Sequence, residues 1–176
     1  FRATCGGMGL TGVIVEATFR MHPIRSRNID ETVIKTPRLS AALEAFETFG
    51  DATYSVAWID LCATGTSLGR SLLMVGEHAE DGDLTTVPRQ PRADLPISAP
   101  TFALNRYTVR AFNRLYYERI RGDVTRHQVG IEPFFYPLDA INNWNRLYGH
   151  RGFLQYQFVI PREAGQVPLT EAVERI

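Results

Sequence analysis

Several classes of protein are excluded by what the sequence lacks. It contains only two cysteines, Cys5 and Cys62, whose positions match neither a CxxC pair nor any zinc-binding spacing. Disulfides are rare in chains that are not secreted, so we expect two buried thiols in a reducing cytoplasm. The four histidines show no spacing typical of a metal site or a catalytic triad, and we expect them at the surface. We therefore predict no metal.

An excess of charge and a long apolar run are also missing. Nineteen basic and nineteen acidic residues balance to a net charge of zero, which gives no electrostatic footprint for nucleic acid. No apolar run approaches the roughly 20 residues of a membrane-spanning helix, and no signal peptide is recognisable. We expect a cytoplasmic protein without a transmembrane segment. Peripheral association with the inner membrane face is the alternative.

Both ends of the chain suggest a fragment. The sequence starts at Phe1, without an initiator methionine, just before a glycine-rich turn. A helix is predicted to begin at Leu169 after Pro168, but only about two turns of it are present, and an isolated helix that short is marginal. The length suits one domain with a piece of a neighbour.

Hydrophobic periodicity predicts six strands and three further helices. Apolar and polar residues alternate over residues 10–22, which is typical of a half-buried strand. Thr36-Pro37 and Gly50 resemble the start and stop signals of a helix. The remaining predicted elements are strands at 28–35, 53–63, 67–77, 128–136 and 153–160 and helices at 106–120 and 138–148.

The order of these elements favours the α+β class. Several strands follow one another without crossover helices, which predicts an antiparallel sheet with helices packed on one face. Residues 78–100 are polar and contain four prolines, so they form either a surface loop or a functional lid.

A glycine motif at residues 7–12 matches the G-x-G-x-x-G fingerprint of dinucleotide-binding folds. That fingerprint works when a strand precedes it and a helix follows, because the helix N-terminus holds the pyrophosphate. Here a strand is predicted to follow, so a Rossmann site is excluded. A flexible turn entering the strand would explain the glycines equally well.

Residues 1–14, FRATCGGMGLTGVI, resemble the closing segment of the FAD domain in vanillyl-alcohol-oxidase-type flavoenzymes. In that family a glycine-rich turn leads into a strand whose backbone lies against FAD. The resemblance implies FAD as the cofactor of the parent protein, with Gly12, Val13 and Ile14 as contacts. It also implies that residues 1–23 are a remnant of the FAD domain and residues 24–176 a truncated substrate-binding domain.

Residues 137–149, PLDAINNWNRLYG, and 152–161, GFLQYQFVIP, resemble the substrate domain of the decaprenylphosphoryl-ribose 2′-oxidase family. Residues 54–60 and 68–70 are consistent with the same family. The resemblance implies that the parent enzyme oxidises the 2′-hydroxyl of a polyprenyl-phosphate-linked ribose. A separate short-chain dehydrogenase would then reduce the ketone, which completes epimerisation to the arabinose donor of cell-wall arabinan. The fragment alone is expected to be inactive.

Two glutamines on the predicted strand 153–160 are candidate substrate ligands. Gln155 and Gln157 share one strand face, and their amides can donate and accept hydrogen bonds without charge, which suits sugar hydroxyls. The pattern alone favours an ordinary solvated face, whereas the resemblance places both amides beside the flavin. It also implies further residues bordering the substrate cavity, namely Trp58, Phe135, Tyr136, Ile141, Trp144 and Asn145.

The sequence departs from the family at Phe135-Tyr136, where the family commonly has tyrosine and histidine. The substrate therefore stays open between lipid-linked ribose and another sugar, polyol or lactone. A non-catalytic binding domain is a third hypothesis. We assign no catalytic base in this chain, because the resemblance implies that it lies outside residues 1–176.

Overall fold

The computed structural model describes residues 1–85, 93–100, 102–164 and 166–175, and within them a four-stranded antiparallel sheet forms the core. The strand order is β2-β3-β1-β5, so β1 lies inside the sheet. A second sheet consists of a two-residue parallel pairing between β4 and β6. The strands are β1 (Asn28–Thr36), β2 (Tyr54–Ile59), β3 (Ser71–His78), β4 (Ala93–Asp94), β5 (Val124–Gly130) and β6 (Ile141–Asn142). The α-helices are α1 (Leu39–Thr48), α2 (Arg106–Glu118), α3 (Ile131–Phe135) and α4 (Gln166–Arg175).

Side chains from both faces of the central strands are buried. Leu72 and Leu73 are neighbours on β3, so they point to opposite faces, and both are 0% exposed. Helix α1 packs against β1 and β3 through its own buried face, which includes Leu39. The segment before β3 approaches the start of α1 very closely. A β-carbon built on Gly69 would lie only 2.7 Å from Cβ of Leu39.

Helix α2 begins with a capping box. The Asn105 side chain accepts hydrogen bonds from the backbone N–H groups of Tyr107 and Thr108, and the Thr108 hydroxyl accepts one from the Asn105 N–H. Such a cap stabilises a helix by about 1 kcal/mol. Near the other end of α2, buried Tyr117 packs with Val33 and Leu72, so the helix is anchored to the sheet.

Helix α3 is fixed to the beginning of β1. Arg27 donates through Nη2 to both carboxylate oxygens of Glu132, each at 2.6 Å, and its carbonyl accepts from the Ile131 N–H at 3.0 Å. Because α3 follows β5 directly, these contacts hold the residues of α3 against the same end of the sheet.

The predicted α+β class and antiparallel sheet are confirmed. The strands expected at 28–35, 53–63 and 67–77 and the helices expected at 36–50 and 106–120 are found with similar bounds. The turn between β2 and β3 contains a short 3-10 helix, Gly65–Ser67. Cys5 and Cys62 are free thiols, but their expected burial was wrong, because Cys5 is exposed and Cys62 is only half-buried.

The predictions of strands at 10–22 and 153–160 were wrong. Val13 is 91% exposed and Leu154 is 100% exposed, and neither segment is assigned to a strand. A strand gains stability by pairing with a neighbour, and an apolar alternation alone does not supply that neighbour.

The strand predicted at 128–136 and the helix predicted at 138–148 were also misplaced. Strand β5 runs over Val124–Gly130, and the chain then turns into α3. The second region forms 3-10 turns, Pro137–Ala140 and Trp144–Arg151, on either side of β6. Asn143 interrupts them with a left-handed φ of 56°, which a continuous α-helix does not contain.

Helix α4 starts at Gln166, not at Leu169, and Pro168 lies in its first turn, where a missing N–H costs no helical hydrogen bond. The loop or lid expected at 78–100 falls partly on residues 86–92, which lie outside the described residues. In the described ranges, no helix is long and apolar enough to cross a membrane. The same ranges hold no cluster of side chains suited to a metal ion.

Candidate functional site

One face of the sheet carries the aromatic residues of β2. Tyr54, Val56 and Trp58 alternate along this strand and therefore point to the same side. At a rise of about 3.3 Å per residue, Tyr54 and Trp58 are separated by about 13 Å along the strand. Val56 lies between them and is 50% exposed, so the middle of this surface is open. We call it the aromatic face.

Helix α2 covers the Trp58 end of the aromatic face. The Trp58 ring lies 4.8 Å from that of Tyr116, centroid to centroid, and Tyr116 stacks on Phe112 at 5.8 Å. The Arg119 guanidinium lies 3.9 Å from the Tyr116 ring centroid. Trp58 also packs against the buried cluster around Leu72. The packing holds the indole in place while leaving it partly accessible.

Helix α3 covers the opposite end. The Tyr54 ring makes edge contacts with Phe135 at 4.9 Å and with Phe134 at 6.2 Å. Phe135 is 40% exposed and Tyr136 is 57% exposed, and their ring centroids are 6.4 Å apart. These two predicted site residues therefore lie together at the Tyr54 end of the aromatic face.

His78 ties Tyr54 to the core and is half-buried, contrary to its expected surface position. Its Nδ1 lies 3.0 Å from the Ser26 carbonyl oxygen, and its Nε2 lies 3.3 Å from the Tyr54 hydroxyl. Because a carbonyl can only accept, Nδ1 donates to it, and Nε2 is left facing the tyrosine hydroxyl.

A polar pair, Glu31 and His127, lies on the same face. Glu31 pairs with Gly76 on one side and with His127 on the other, and Gly76 pairs with Tyr54, so all four residues share one row across the sheet. Nε2 of His127 lies 2.8 Å from Oε2 of Glu31, with side chains 43% and 12% exposed. Sequence reasoning missed this pair, because only the strand register brings the residues together.

The segment containing Trp144 forms a separate aromatic group. Trp144, Tyr148 and Phe153 contact one another, with ring centroids 4.4 to 6.1 Å apart. Arg146 donates through Nη1 to the carbonyl oxygens of Leu95 and Pro96 at 2.9 and 2.7 Å. The motif arginine thus fixes this segment to the chain that follows β4.

Beside this group, Ile141 is 38% exposed and lies in β6, where it pairs with Ala93. Asn145 is exposed on the 3-10 turn that carries Trp144. Both predicted residues therefore belong to the segment that Arg146 holds in place.

The remaining predicted site residues are not brought to these groups. Gln155 and Gln157 are exposed on a segment without strand pairing. Gly12 has a φ of 135°, and the following Val13 and Ile14 are 91% and 65% exposed. Their predicted roles stay predictions.

No family model matches the chain. Among curated proteins, it is similar to the decaprenylphosphoryl-beta-D-ribose oxidase of Mycolicibacterium smegmatis, with 34% identity over 178 aligned residues that cover 93% of this chain. The chain is a relative of that oxidase. It spans only 38% of the length of the oxidase, so it corresponds to part of that protein.

A second relative is an uncharacterized protein encoded in the mprA 5′ region of Streptomyces coelicolor. The two are 32% identical over 101 residues, which cover 54% of this chain and 27% of the relative. Because the alignment with the oxidase covers 93% of this chain, the similarity includes the central sheet and both ends of the aromatic face. The relationship confirms the resemblance that the sequence motifs indicated.

Proposed function

We propose that this chain is the substrate-binding part of an FAD-dependent oxidoreductase that oxidises the 2′-hydroxyl of a polyprenyl-phosphate-linked ribose. The observation that carries the proposal is the identity of 34% over 93% of the chain to a protein named as a decaprenylphosphoryl-beta-D-ribose oxidase. The proposal covers the whole protein of which this chain would form a part, with residues 1–23 as an FAD-domain remnant and residues 24–176 as the substrate domain.

The glycine-rich segment fits a role against FAD. Gly6, Gly9 and Gly12 have positive φ angles, and β-carbons built at these positions would meet nothing within 4 Å. A ligand can therefore approach the backbone closely at this segment, which is what a bulky cofactor requires. Gly12, Val13 and Ile14 would hold it through main-chain contacts. When bound, FAD supplies the acceptor for the hydride of the alcohol carbon.

The aromatic face is suited to hold the sugar. Binding sites for small organic ligands combine apolar and aromatic walls with a few polar groups that fix orientation. Trp58 and Phe135 supply aromatic walls at the two ends of the face, and Glu31 with His127 supplies polar groups in the row of Tyr54, at the Phe135 end. Tyr136 lies beside Phe135 and extends the wall.

Five further residues complete the proposed substrate site. Gln155 and Gln157 would hydrogen-bond sugar hydroxyls through their amides. Trp144, with Ile141 and Asn145 on the same segment, would border the cavity. The ketone produced would pass to a separate keto-reductase of the short-chain-dehydrogenase class, and the lipid substrate would bring the enzyme to the inner membrane face.

A second candidate is an FAD-linked oxidase of another sugar, polyol or lactone. The pair Phe135-Tyr136 favours it, because the family commonly has tyrosine and histidine there. Replacing a phenol by a phenyl ring and an imidazole by a phenol changes the hydrogen bonds available to a substrate.

The deciding experiment is a visible absorption spectrum of the full-length protein, taken before and after anaerobic addition of polyprenyl-phosphoryl ribose. We expect a flavin spectrum that bleaches on addition. A flavin that stays oxidised with this substrate but bleaches with a free sugar, polyol or lactone supports the second candidate. A colourless protein that cannot be reconstituted with FAD contradicts both and leaves a non-catalytic binding domain.

A further inference from the structure

A cleft separate from the aromatic face lies between α2 and the loop that joins β2 to β3. Its volume is about 370 Å³, which is within the range of about 300 to 1,000 Å³ for sites that bind small organic molecules. Its walls carry three guanidinium groups and two hydroxyl groups, from Arg70, Arg110, Arg114, Thr64 and Ser67. We call it the arginine cleft.

One of the arginines, Arg70, forms an ion pair with a buried carboxylate. Asp60 is 1% exposed, and its Oδ2 accepts hydrogen bonds from Nε and Nη2 of Arg70 at 2.9 and 2.7 Å. Its Oδ1 accepts from the Asn113 amide at 2.7 Å and from the Cys62 N–H at 3.0 Å. Asp60 and Arg70 therefore neutralise each other and leave no charge for a ligand.

The second carboxylate in the cleft is also compensated. Glu118 lines the cleft and accepts a hydrogen bond from Nζ of Lys35 at 2.8 Å. Arg114 attracts Glu118 as well, but less strongly than Lys35 does. The two carboxylates of the cleft are thus each matched by a hydrogen-bonded cation, and Arg110 and Arg114 remain as surplus positive charge.

Arg110 and Arg114 are one helical turn apart on α2 and point to the same side. Two like charges at this spacing repel each other and disfavour the helix, so an anion between them relieves a cost that the free protein bears. Nε of Arg110 donates to the Cys62 carbonyl at 3.3 Å, which orients that guanidinium along the cleft wall. On the opposite side of α2, Tyr116 faces Trp58, so the cleft and the aromatic face are distinct.

We infer that the arginine cleft binds a phosphoryl group, held by the guanidinium groups of Arg110 and Arg114 and by the hydroxyls of Thr64 and Ser67. Guanidinium forks match the several acceptor oxygens of a phosphoryl group, and charge-assisted hydrogen bonds of this kind are strong. The cleft volume leaves space for a small group attached to the phosphate. The inference stands independently of the proposed oxidase function, because it rests on the charges and shape of the cleft.

The test is titration calorimetry on the purified full-length protein with glycerol 3-phosphate at constant ionic strength. We expect saturable binding that weakens at least about tenfold in Arg110→Gln and in Arg114→Gln and is lost in the double variant. Arg106→Gln is the matched control, because it removes the same charge from the same helix outside the cleft. It should leave the affinity within about twofold.

A second arm distinguishes a free phosphate ester from a lipid headgroup. Vesicles of phosphatidylcholine with and without phosphatidic acid present the same phosphoryl chemistry on a membrane surface. Binding that depends on Arg110 and Arg114 in either arm supports the inference and names the source. Thermal unfolding of each variant shows whether the fold persists. No saturable binding in either arm, or an equal loss in Arg106→Gln, overturns it.

Discussion

The ring of Phe134 lies over the backbone of Gly76, so close that a β-carbon at Gly76 would be 2.5 Å from Cζ of that ring. Cγ2 of Ile29 would be 2.8 Å from the same β-carbon. Gly76 pairs with Tyr54 on β2, and Phe134 contacts Tyr54 as well. The absence of a side chain at one position of β3 therefore lets α3 pack on the sheet and form one end of the aromatic face.

Gly76→Ala should destabilise the fold by about 1 to 3 kcal/mol, because the added methyl group overpacks this contact. Urea unfolding measures the change. The double variant Gly76→Ala/Phe134→Leu removes most of the ring that the methyl group meets and should recover part of the loss. If the changes in the free energy of unfolding of the two single variants simply add in the double variant, the contact between these residues does not cause the destabilisation.

Asp60→Ala should be far more destabilising than a surface substitution. Removing one partner of a buried ion pair costs about 3 to 5 kcal/mol, because the remaining charge is left without compensation. Arg70 would lose its carboxylate partner, and the Cys62 N–H would lose its acceptor. The exposed Asp51→Asn serves as the control and should change the free energy of unfolding by less than about 0.5 kcal/mol. Similar midpoints for both variants would contradict this role of Asp60.

Glu118 should contribute to the loss of stability in acid. The hydrogen bond from Lys35 is the main cause that lowers the pKa of Glu118 from its usual value of 4.5. Its stabilising contribution is therefore present above pH 4.5 and is lost as the pH falls through the lower pKa of the folded state. Glu118→Gln should show a shallower fall in melting temperature below pH 4.5 than the unmodified protein. If the melting temperatures of the two proteins fall equally with pH, Glu118 does not make this contribution.

Tyr117 should contribute to the loss of folding stability at high pH. Burial raises the pKa of Tyr117 above its usual value of 10.0, so the folded state holds the phenolic proton more tightly. The corresponding stability is complete below pH 10 and is lost as the pH rises through the folded-state pKa. Tyr117→Phe removes this dependence and also the hydrogen bond to the Thr36 carbonyl, which is worth about 1 kcal/mol at neutral pH. Denaturant unfolding at pH 7 and above pH 10 measures both effects.

Trp58→Leu should weaken substrate binding in the full-length enzyme, because it removes the aromatic wall at one end of the proposed site. We expect KM to rise by about tenfold, which corresponds to about 1.4 kcal/mol. Tyr107→Leu is a control of similar size on α2, since Tyr107 is 67% exposed and contacts Arg106. An unchanged KM in Trp58→Leu would remove Trp58 from the substrate site.

The sequence was most informative where both partners of an interaction lie close together along the chain. Strands β2 and β3 form a local antiparallel pair, and the alternation in residues 53–63 and 67–77 predicted them well. The same alternation in residues 10–22 and 153–160 predicted strands that are not formed. Periodicity describes which side of a segment is apolar, but not which other segment covers it.

The polar pair of the candidate site could not be predicted from the sequence, for a different reason. Glu31 and His127 meet because β1 and β5 pair in one particular register, and a shift of one residue would place either side chain on the other face. By contrast, the motif around Trp144 could be found from the sequence, although its 3-10 geometry could not. The left-handed Asn143 that shapes it has no unique sequence signal.

The position of β1 inside the sheet has a consequence for how the chain folds. The side chains of Asn28 and Gln128 are hydrogen-bonded although they are 100 residues apart in the chain, so β5 joins the sheet only after a very long loop has closed. Closing such a loop costs conformational entropy before its contacts are gained, and proteins rich in such distant contacts fold slowly. We expect β1, β2 and β3 to assemble first. The docking of β5, which brings His127 to Glu31, would then be the late step that completes the aromatic face.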